Sequence, residues 1–163
     1  MTKIFAHRGA SAYAPENTME SFELAAKQGA DGIELDVHVT KDGEVVVTHD
    51  EKIDRVSNGS GFIKDMTLRE LKRLSFHNHM ESYVGAGIPT LREVLEYVST
   101  TNMDVNIELK TGIYWYPQIE EKTAFIVQET GMHDRVIYSS FNHHSIATVS
   151  YTHLRAHETD QYL

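Results

Sequence analysis

The stretch "GIELDVHVTKDGEVVVTHD", residues 32–50, decides the fold, because two hydrophobic segments flank a turn-forming pair. Asp42-Gly43 between segments rich in β-branched residues is a strong signal for a β-hairpin. A two-residue turn at that pair would fix the register and set Asp36 directly across from His49. We therefore predict that these two side chains lie on one face of the sheet, with Cβ atoms about 5 Å apart.

Outside this hairpin, strand and helix patterns alternate along the chain. Further strands are predicted at residues 3–7, 104–110 and 135–141, with apolar residues at helical spacing between them. The first helix is expected to begin at a capping box of Asn17 and Glu20. Alternation of this kind indicates a parallel sheet with crossover helices, so polar side chains at the carboxyl ends of the strands should meet at one rim.

Composition narrows the classes of function. The 163 residues are enough for one domain with a core, and the formal charge of −9 argues against general binding of nucleic acid. The absence of cysteine excludes disulfides and zinc–thiolate sites. The N-terminus lacks a signal-peptide pattern, and no segment approaches the roughly 18 apolar residues of a membrane helix. We expect a soluble, cytoplasmic protein.

Acidic side chains recur where the predicted strands end. Glu34 and Asp36 are two residues apart and share a face of their strand, as Glu108 and Lys110 do on theirs. Three carboxylates pointing into one sheet interior would repel each other and lose hydration. A divalent cation resolves this repulsion, and oxygen ligands suit Mg²⁺, Ca²⁺ or Mn²⁺ better than zinc.

Basic and histidine side chains are predicted beside these carboxylates. Arg8 and Lys110 indicate a bound anion such as phosphate. His7 and His49 add two groups that titrate near working pH. A metal ion, two cations and two histidines at one rim together point to phosphodiester cleavage.

Five motifs in order carry a likeness to a known family: "AHRG" at 6–9, "PENT" at 15–18, "IELDVHVTKDGEVVVTHD" at 33–50, "IELK" at 107–110 and "SSFN" at 139–142. With these motifs the chain resembles the glycerophosphodiester phosphodiesterase family from residue 3 to about residue 145. The resemblance implies an α/β fold of the TIM-type (β/α)₈ barrel class. It also implies a small insertion after the second strand, which we assign to residues 50–89.

The resemblance also assigns roles to the residues at the strand ends. It implies that Glu34, Asp36 and Glu108 bind a divalent metal ion, with Ca²⁺, Mg²⁺ and Mn²⁺ as candidates. It implies that His7 and His49 form a general acid–base pair, in which either histidine can be the acid.

Two further pairs of residues receive roles by the same resemblance. Arg8 would bind the substrate phosphate with support from Lys110, while Glu16 and Asn17 would order the loop that contains them. The family hydrolyses glycerophosphodiesters, which are small molecules, to glycerol 3-phosphate and an alcohol.

The length of the chain limits how much of such a barrel is expected. An eight-stranded barrel needs about 250 residues, and four barrel strands are predicted here. We expect residues 1–149 to form the first half of the barrel, with exposed sheet edges that favour self-association. The segment "SYTHLRAHETDQYL", residues 150–163, loses apolar periodicity. We expect it to be foreign to the fold, the alternative being a polar C-terminal helix.

Two other functions remain open at this stage. The chain could be an inactive truncated fragment, or a module that binds phosphate or a partner. It could also be a related phospholipase-type barrel phosphodiesterase acting on phosphoinositides or choline lysophospholipids. The sequence shows no apolar or basic rim of the kind that such lipid enzymes need, and its net negative charge disfavours anionic membranes.

Overall fold

The hydrophobic strand at the start of residues 32–50 lies at the centre of a five-stranded sheet in the computed structural model, which describes residues 2–152. The strands are β1 (Phe5–His7), β2 (Gly32–Val39), β3 (Val45–Val47), β4 (Asp104–Leu109) and β5 (Val136–Ser139). Their order is β1-β2-β4-β5 with parallel neighbours, and β3 pairs with β2 in the antiparallel direction. The predicted α/β class with a parallel sheet is confirmed, and the sheet is not closed within the described residues.

Within residues 2–152, five α-helices accompany this sheet, and two short 3₁₀ turns lie in the long segment that follows β3. The helices are α1 (Met19–Lys27), α2 (Leu68–Leu71), α3 (Leu91–Ser99), α4 (Ile119–Glu129) and α5 (His143–Thr152). The 3₁₀ turns are Ile63–Asp65 and Glu81–Tyr83. None of the helices within residues 2–152 has the length and apolar character needed to cross a bilayer.

The two faces of the sheet differ in polarity because strand side chains alternate. On β2, Ile33, Leu35 and Val37 are fully buried in the main core, where they pack with the apolar face of α3. The intervening residues of β2 are Glu34, Asp36 and His38, which therefore share the opposite face. One face of the sheet is thus covered by helices, and the other face carries polar side chains.

The start of α1 differs from the prediction by one residue. The N-cap is Thr18, which forms a reciprocal capping box with Ser21, rather than Asn17. The Asn17 side chain is used elsewhere, since its Nδ2 donates to Asp36 Oδ2 at 3.0 Å. An Asn N-cap would accept a backbone N–H through its side-chain oxygen, and Asn17 Oδ1 has no hydrogen-bond partner, so Asn17 does not cap α1.

The loop between β2 and β3 has three residues, 41–43, instead of the predicted two. The Thr40 N–H donates to the Glu44 carbonyl at 2.9 Å, and the Gly43 N–H donates to the Thr40 carbonyl at 3.0 Å. Gly43 has φ +88°, the left-handed conformation that follows the turn in a three-residue hairpin loop. The Asp-Gly signal therefore located the hairpin correctly but selected the wrong turn.

This longer loop shifts the pairing of β3 by one residue. Val37 pairs with Val47, and the Thr48 N–H donates to the Asp36 carbonyl at 3.0 Å. The prediction that Asp36 lies directly across from His49 is therefore wrong. His49 follows the end of β3, where the chain leaves the sheet.

The predicted insertion, residues 50–89, builds a second and smaller apolar cluster beside the hairpin. Its fully or nearly buried members are Val46, Ile53, Val56, Ile63, Leu71, Phe76 and Ile88. Val46 belongs to this cluster while its neighbours Val45 and Val47 face the main core, as strand alternation requires. The hairpin is thus packed on both faces.

Several large apolar side chains are exposed in the described residues. They are Ile4, Tyr13, Val84, Ile113, Trp115, Phe125 and Phe141. Strands β1 and β5 each have an unpaired edge there, and self-association through such edges stays a prediction. Of the segment 150–163, helix α5 includes residues 150–152, and residues 153–163 lie outside the described residues.

Replacing Gly43 tests the hairpin loop. We expect Gly43→Ala to lower the free energy of unfolding by about 1–2 kcal/mol, because a left-handed backbone is unfavourable for a residue with a Cβ. The added Cβ would also lie 2.7 Å from Lys122 Nζ, which donates to the Gly43 carbonyl. Urea unfolding measures the change, and Gly43→Asn should cost less.

Gly87→Ala is the matched control, because no atom lies within 4 Å of its added Cβ and its φ is not positive. Equal effects of Gly43→Ala and Gly87→Ala would contradict the assigned loop.

Candidate functional site

The register of the parallel strands brings three carboxylates together on the polar face of the sheet. Asp36 on β2 is paired with Glu108 on β4, and Glu34 on β2 is paired with His7 on β1. One carboxylate oxygen from each of Glu34, Asp36 and Glu108 lies within 4.8 Å of the others. We call these three side chains the acidic cluster. The structure therefore brings together the residues that the sequence placed at the strand ends.

The acidic cluster is short of compensating charge. Asp36 is 1% exposed, and Glu34 and Glu108 are partly buried. Burial raises the pKa of Glu34 to about 7, and the charges of Asp36 and Glu108 add to this effect. Oxygen ligands of high charge density are what Mg²⁺ and Ca²⁺ prefer, so the cluster fits a divalent cation.

Lys110 lies between the acidic cluster and His49. Its Nζ donates to Glu108 Oε1 at 2.9 Å and lies 3.7 Å from Asp36 Oδ1. The same Nζ is 3.3 Å from Nε2 of His49. Lys110 therefore lies beside the acidic cluster, and its side chain also contacts His49.

Arg8 follows β1 in a conformation that turns the chain sharply. Its φ is +58°, and its N–H is shared between the Glu34 carbonyl at 3.0 Å and Glu34 Oε2 at 3.1 Å. Gly9 also has a positive φ, and a Cβ there would lie 2.4 Å from Ser21 Oγ. The Arg-Gly pair thus packs against α1 and directs the guanidinium towards Asp36, whose Oδ2 lies 3.5 Å from Arg8 Nε.

The loop residues Glu16 and Asn17 contact the functional side chains directly. Glu16 Oε1 accepts from Arg8 Nη1 at 3.2 Å. Asn17 is buried with φ +57°, and its amide donates to Asp36. Two buried polar atoms here, Arg8 Nε and Asn17 Oδ1, have no hydrogen-bond partner.

The two predicted histidines flank the acidic cluster in different surroundings. His7 is 69% exposed, and its Nε2 lies 3.7 Å from Glu34 Oε2. His49 is partly buried, and its Nδ1 lies 2.6 Å from Asp50 Oδ1. Since Asp50 accepts at Nδ1 and the Lys110 ammonium can only donate at Nε2, the tautomer with the proton on Nδ1 is favoured.

Asp50 and Arg55 complete the surroundings of His49, and the predicted site did not include them. Burial opposes ionisation of Asp50, yet hydrogen bonds from Arg55 and His49 hold its pKa at about 2. Asp50 directly follows His49 in the sequence, and this adjacency could have identified it as a partner of the histidine. Arg55 lies in a segment without periodicity, so only the folded chain reveals its contacts.

A buried histidine contacts the backbone of His49. His38 lies 3.0 Å through Nε2 from the His49 carbonyl and 2.8 Å through Nδ1 from Tyr116 Oη. Burial lowers the pKa of His38, which favours the neutral ring. Since a carbonyl only accepts, His38 Nε2 donates to it and Nδ1 accepts from the Tyr116 hydroxyl.

Comparison with known proteins identifies relatives of this chain. A glycerophosphodiester phosphodiesterase of Caldanaerobacter subterraneus is 51% identical over 149 residues, which cover 91% of this chain and 61% of that protein. The crystal structure of a glycerophosphodiester phosphodiesterase from Agrobacterium tumefaciens matches with a TM-score of 0.84 and 38% identity, covering 93% of this chain and 63% of that one. These matches confirm the predicted TIM-barrel class.

A third relative is known together with its product. The structure of an Oleispira antarctica phosphodiesterase in complex with sn-glycerol-3-phosphate matches with a TM-score of 0.79 and 34% identity, covering 93% of this chain and 62% of that one. The chain thus spans somewhat more than three-fifths of the length of these proteins. The sequence model of the Glycerophosphoryl diester phosphodiesterase family matches residues 7–157. The chain belongs to this family.

Proposed function

We propose that the protein is a metal-dependent phosphodiesterase that hydrolyses glycerophosphodiesters to glycerol 3-phosphate and an alcohol. The observation that carries this proposal is the acidic cluster with cations and histidines on both sides of it. The relative from Caldanaerobacter subterraneus supports the reaction by its name. The Oleispira antarctica structure, which contains sn-glycerol-3-phosphate, supports the product.

Glu34, Asp36 and Glu108 would hold the metal ion, for which Mg²⁺, Ca²⁺ and Mn²⁺ are the candidates. When bound, such an ion supplies positive charge next to the phosphoryl oxygens of the substrate. The pKa of Glu34, raised to about 7 by burial first and by the charge of Asp36 second, supports this assignment, because a bound cation would offset both effects.

Arg8 and Lys110 would bind the phosphate of the substrate. Arg8 Nε is buried without a hydrogen-bond partner and lies 3.5 Å from Asp36 Oδ2, so the guanidinium keeps unused hydrogen-bonding capacity at the edge of the acidic cluster. Lys110 Nζ, next to Glu108, adds a second positive charge beside the acidic cluster. Charged donors of this kind stabilise the charge that develops on phosphoryl oxygens.

His7 and His49 would move the protons. One of them takes a proton from the attacking hydroxyl or water, and the other gives a proton to the leaving alkoxide. At His49 the exchange takes place at Nε2, because Asp50 accepts at Nδ1. Both orders of acid and base satisfy this geometry.

One observation favours a second candidate, a phosphodiesterase that acts on choline lysophospholipids. Four large apolar side chains are exposed on loops that follow strands at their carboxyl ends: Tyr13, Ile113, Trp115 and Phe141. No apolar rim was evident in the sequence, because these residues are isolated there. Such a rim would suit the acyl chain of a lipid substrate.

The metal proposal predicts a shift in thermal stability. We expect Mg²⁺ or Ca²⁺ to raise the melting temperature of the unsubstituted protein, since an ion that binds the folded state stabilises it. Glu34→Gln should abolish this shift. In chelator at pH 8, the same variant should melt higher than the unsubstituted protein, because the pKa of Glu34 near 7 makes its ionised form unfavourable.

Glu96→Gln, on the exposed face of α3, is the matched control and should keep the full metal shift. A shift that persists in Glu34→Gln would place the ion elsewhere.

The histidine proposal predicts a large loss of rate. We expect His7→Ala and His49→Ala each to lower hydrolysis of glycerophosphocholine by about 10²–10⁴-fold, the usual contribution of a general acid or base. Release of glycerol 3-phosphate measures the rate, with and without chelator. His133→Ala is the control, because His133 is exposed and pairs with Asp134. Unchanged turnover in both test variants would refute these roles.

The substrate class is decided by a direct comparison. We expect choline release from glycerophosphocholine to be faster than from lysophosphatidylcholine, with no change in the former upon Trp115→Ser. Faster release from the lysophospholipid, lost in Trp115→Ser, would establish the second candidate instead.

A further inference from the structure

Arg55 connects two loops that carry different parts of the site. Its Nε donates to Asp50 Oδ2 at 2.7 Å. Its two terminal nitrogens donate to Glu16, from Nη1 to Oε2 at 3.0 Å and from Nη2 to Oε1 at 2.7 Å. The loop of Glu16 follows β1, and the loop of Asp50 follows β3. One guanidinium therefore joins residues that are far apart in the sequence.

Both carboxylates bound by Arg55 also contact a functional side chain. Glu16 Oε1 accepts from Arg8, which would bind the phosphate. Asp50 Oδ1 accepts from Nδ1 of His49, which would move a proton. Arg55 is thus one contact away from both groups and touches neither of them in the structure.

The geometry distinguishes Arg55 from an ordinary surface ion pair. An exposed Lys or Arg pair contributes little by itself. Arg55 makes three hydrogen bonds with one planar group, including a two-point contact with Glu16. Its backbone is anchored as well, since Ile53 and Val56 on either side of it are buried in the second apolar cluster.

We propose that Arg55 is a positioning residue for this reaction, holding Asp50 against His49 and Glu16 against Arg8. The effect on turnover rests on the proposed function, whereas the effect on His49 does not. Arg55 fixes the Asp50 carboxylate, which in turn favours the His49 tautomer with the proton on Nδ1 and none on Nε2. Lysine cannot replace it, because an ammonium lacks the planar fork that reaches both carboxylates.

The test compares Arg55→Met and Arg55→Lys with the control Arg73→Met, which changes an exposed arginine outside the site. The ¹⁵N shifts of the His49 imidazole, recorded with Mg²⁺ at one fixed pH, report which ring nitrogen carries the proton. We expect both Arg55 variants to move these shifts towards a mixture of tautomers. Asp50→Asn should do the same, while Glu16→Gln should leave the His49 shifts unchanged.

The kinetic arm uses glycerophosphocholine. We expect kcat to fall about 10–100-fold in Arg55→Met, as for other residues that orient a functional group. Arg55→Lys should recover less than half of this loss, and Arg73→Met should show none. Glu16→Gln should act on KM more than on kcat, because it loosens Arg8.

The ¹⁵N measurement tests the positioning role of Arg55, and the kinetic measurement also tests the proposed function. Unchanged His49 shifts in folded Arg55→Met or Arg55→Lys would overturn the positioning role, even if kcat fell. If Arg55→Met does not fold, Arg55→Lys and Asp50→Asn decide the same question. If the unsubstituted protein releases no glycerol 3-phosphate, the proposed function fails while the spectroscopic arm still tests Arg55.

Discussion

The pairing of β2 with its two parallel neighbours forces like charges together, and the rest of the site depends on that constraint. Because Asp36 is level with Glu108 and Glu34 is level with His7, the strand hydrogen bonds themselves set the spacing of the acidic cluster. The Cα atoms of these residues cannot separate without breaking the sheet, so the carboxylates stay within reach of one another. Lys110, Arg8 and Asn17 surround them because partly buried charges need donors.

The hairpin loop determines which side chains this constraint acts on. With three residues in the loop, Val45 and Val47 face the main core and Val46 faces the second cluster. A two-residue loop would exchange these faces, since a slip of one residue inverts the side-chain pattern of a strand. Gly43 in its left-handed conformation therefore stabilises the arrangement that leaves His49 beyond the end of β3.

Much of this architecture was predictable because it depends on local sequence patterns, such as alternating strand and helix segments. The alternation of strands and helices, together with carboxylates two residues apart, gave the sheet and the acidic cluster. The turn type was not predictable from Asp42-Gly43, since the same pair fits loops of two and three residues. The cap was assigned to Asn17 instead of Thr18 although its partner Ser21 is only three residues away. The contacts of Asn17 with Asp36 and of Arg55 with Asp50 and Glu16 were missed because they depend on partners that only the folded chain brings near.

The charges of the site also suggest why a diester would bind and a monoester would leave. The acidic cluster carries three negative charges when ionised, and Arg8 and Lys110 bring two positive ones. With a divalent cation bound, under the proposed function, the ion, the acidic cluster, Arg8 and Lys110 together carry a single positive charge. A phosphodiester carries one negative charge and would balance these groups. Glycerol 3-phosphate carries nearly two at neutral pH, so hydrolysis leaves an excess negative charge that favours release of the product.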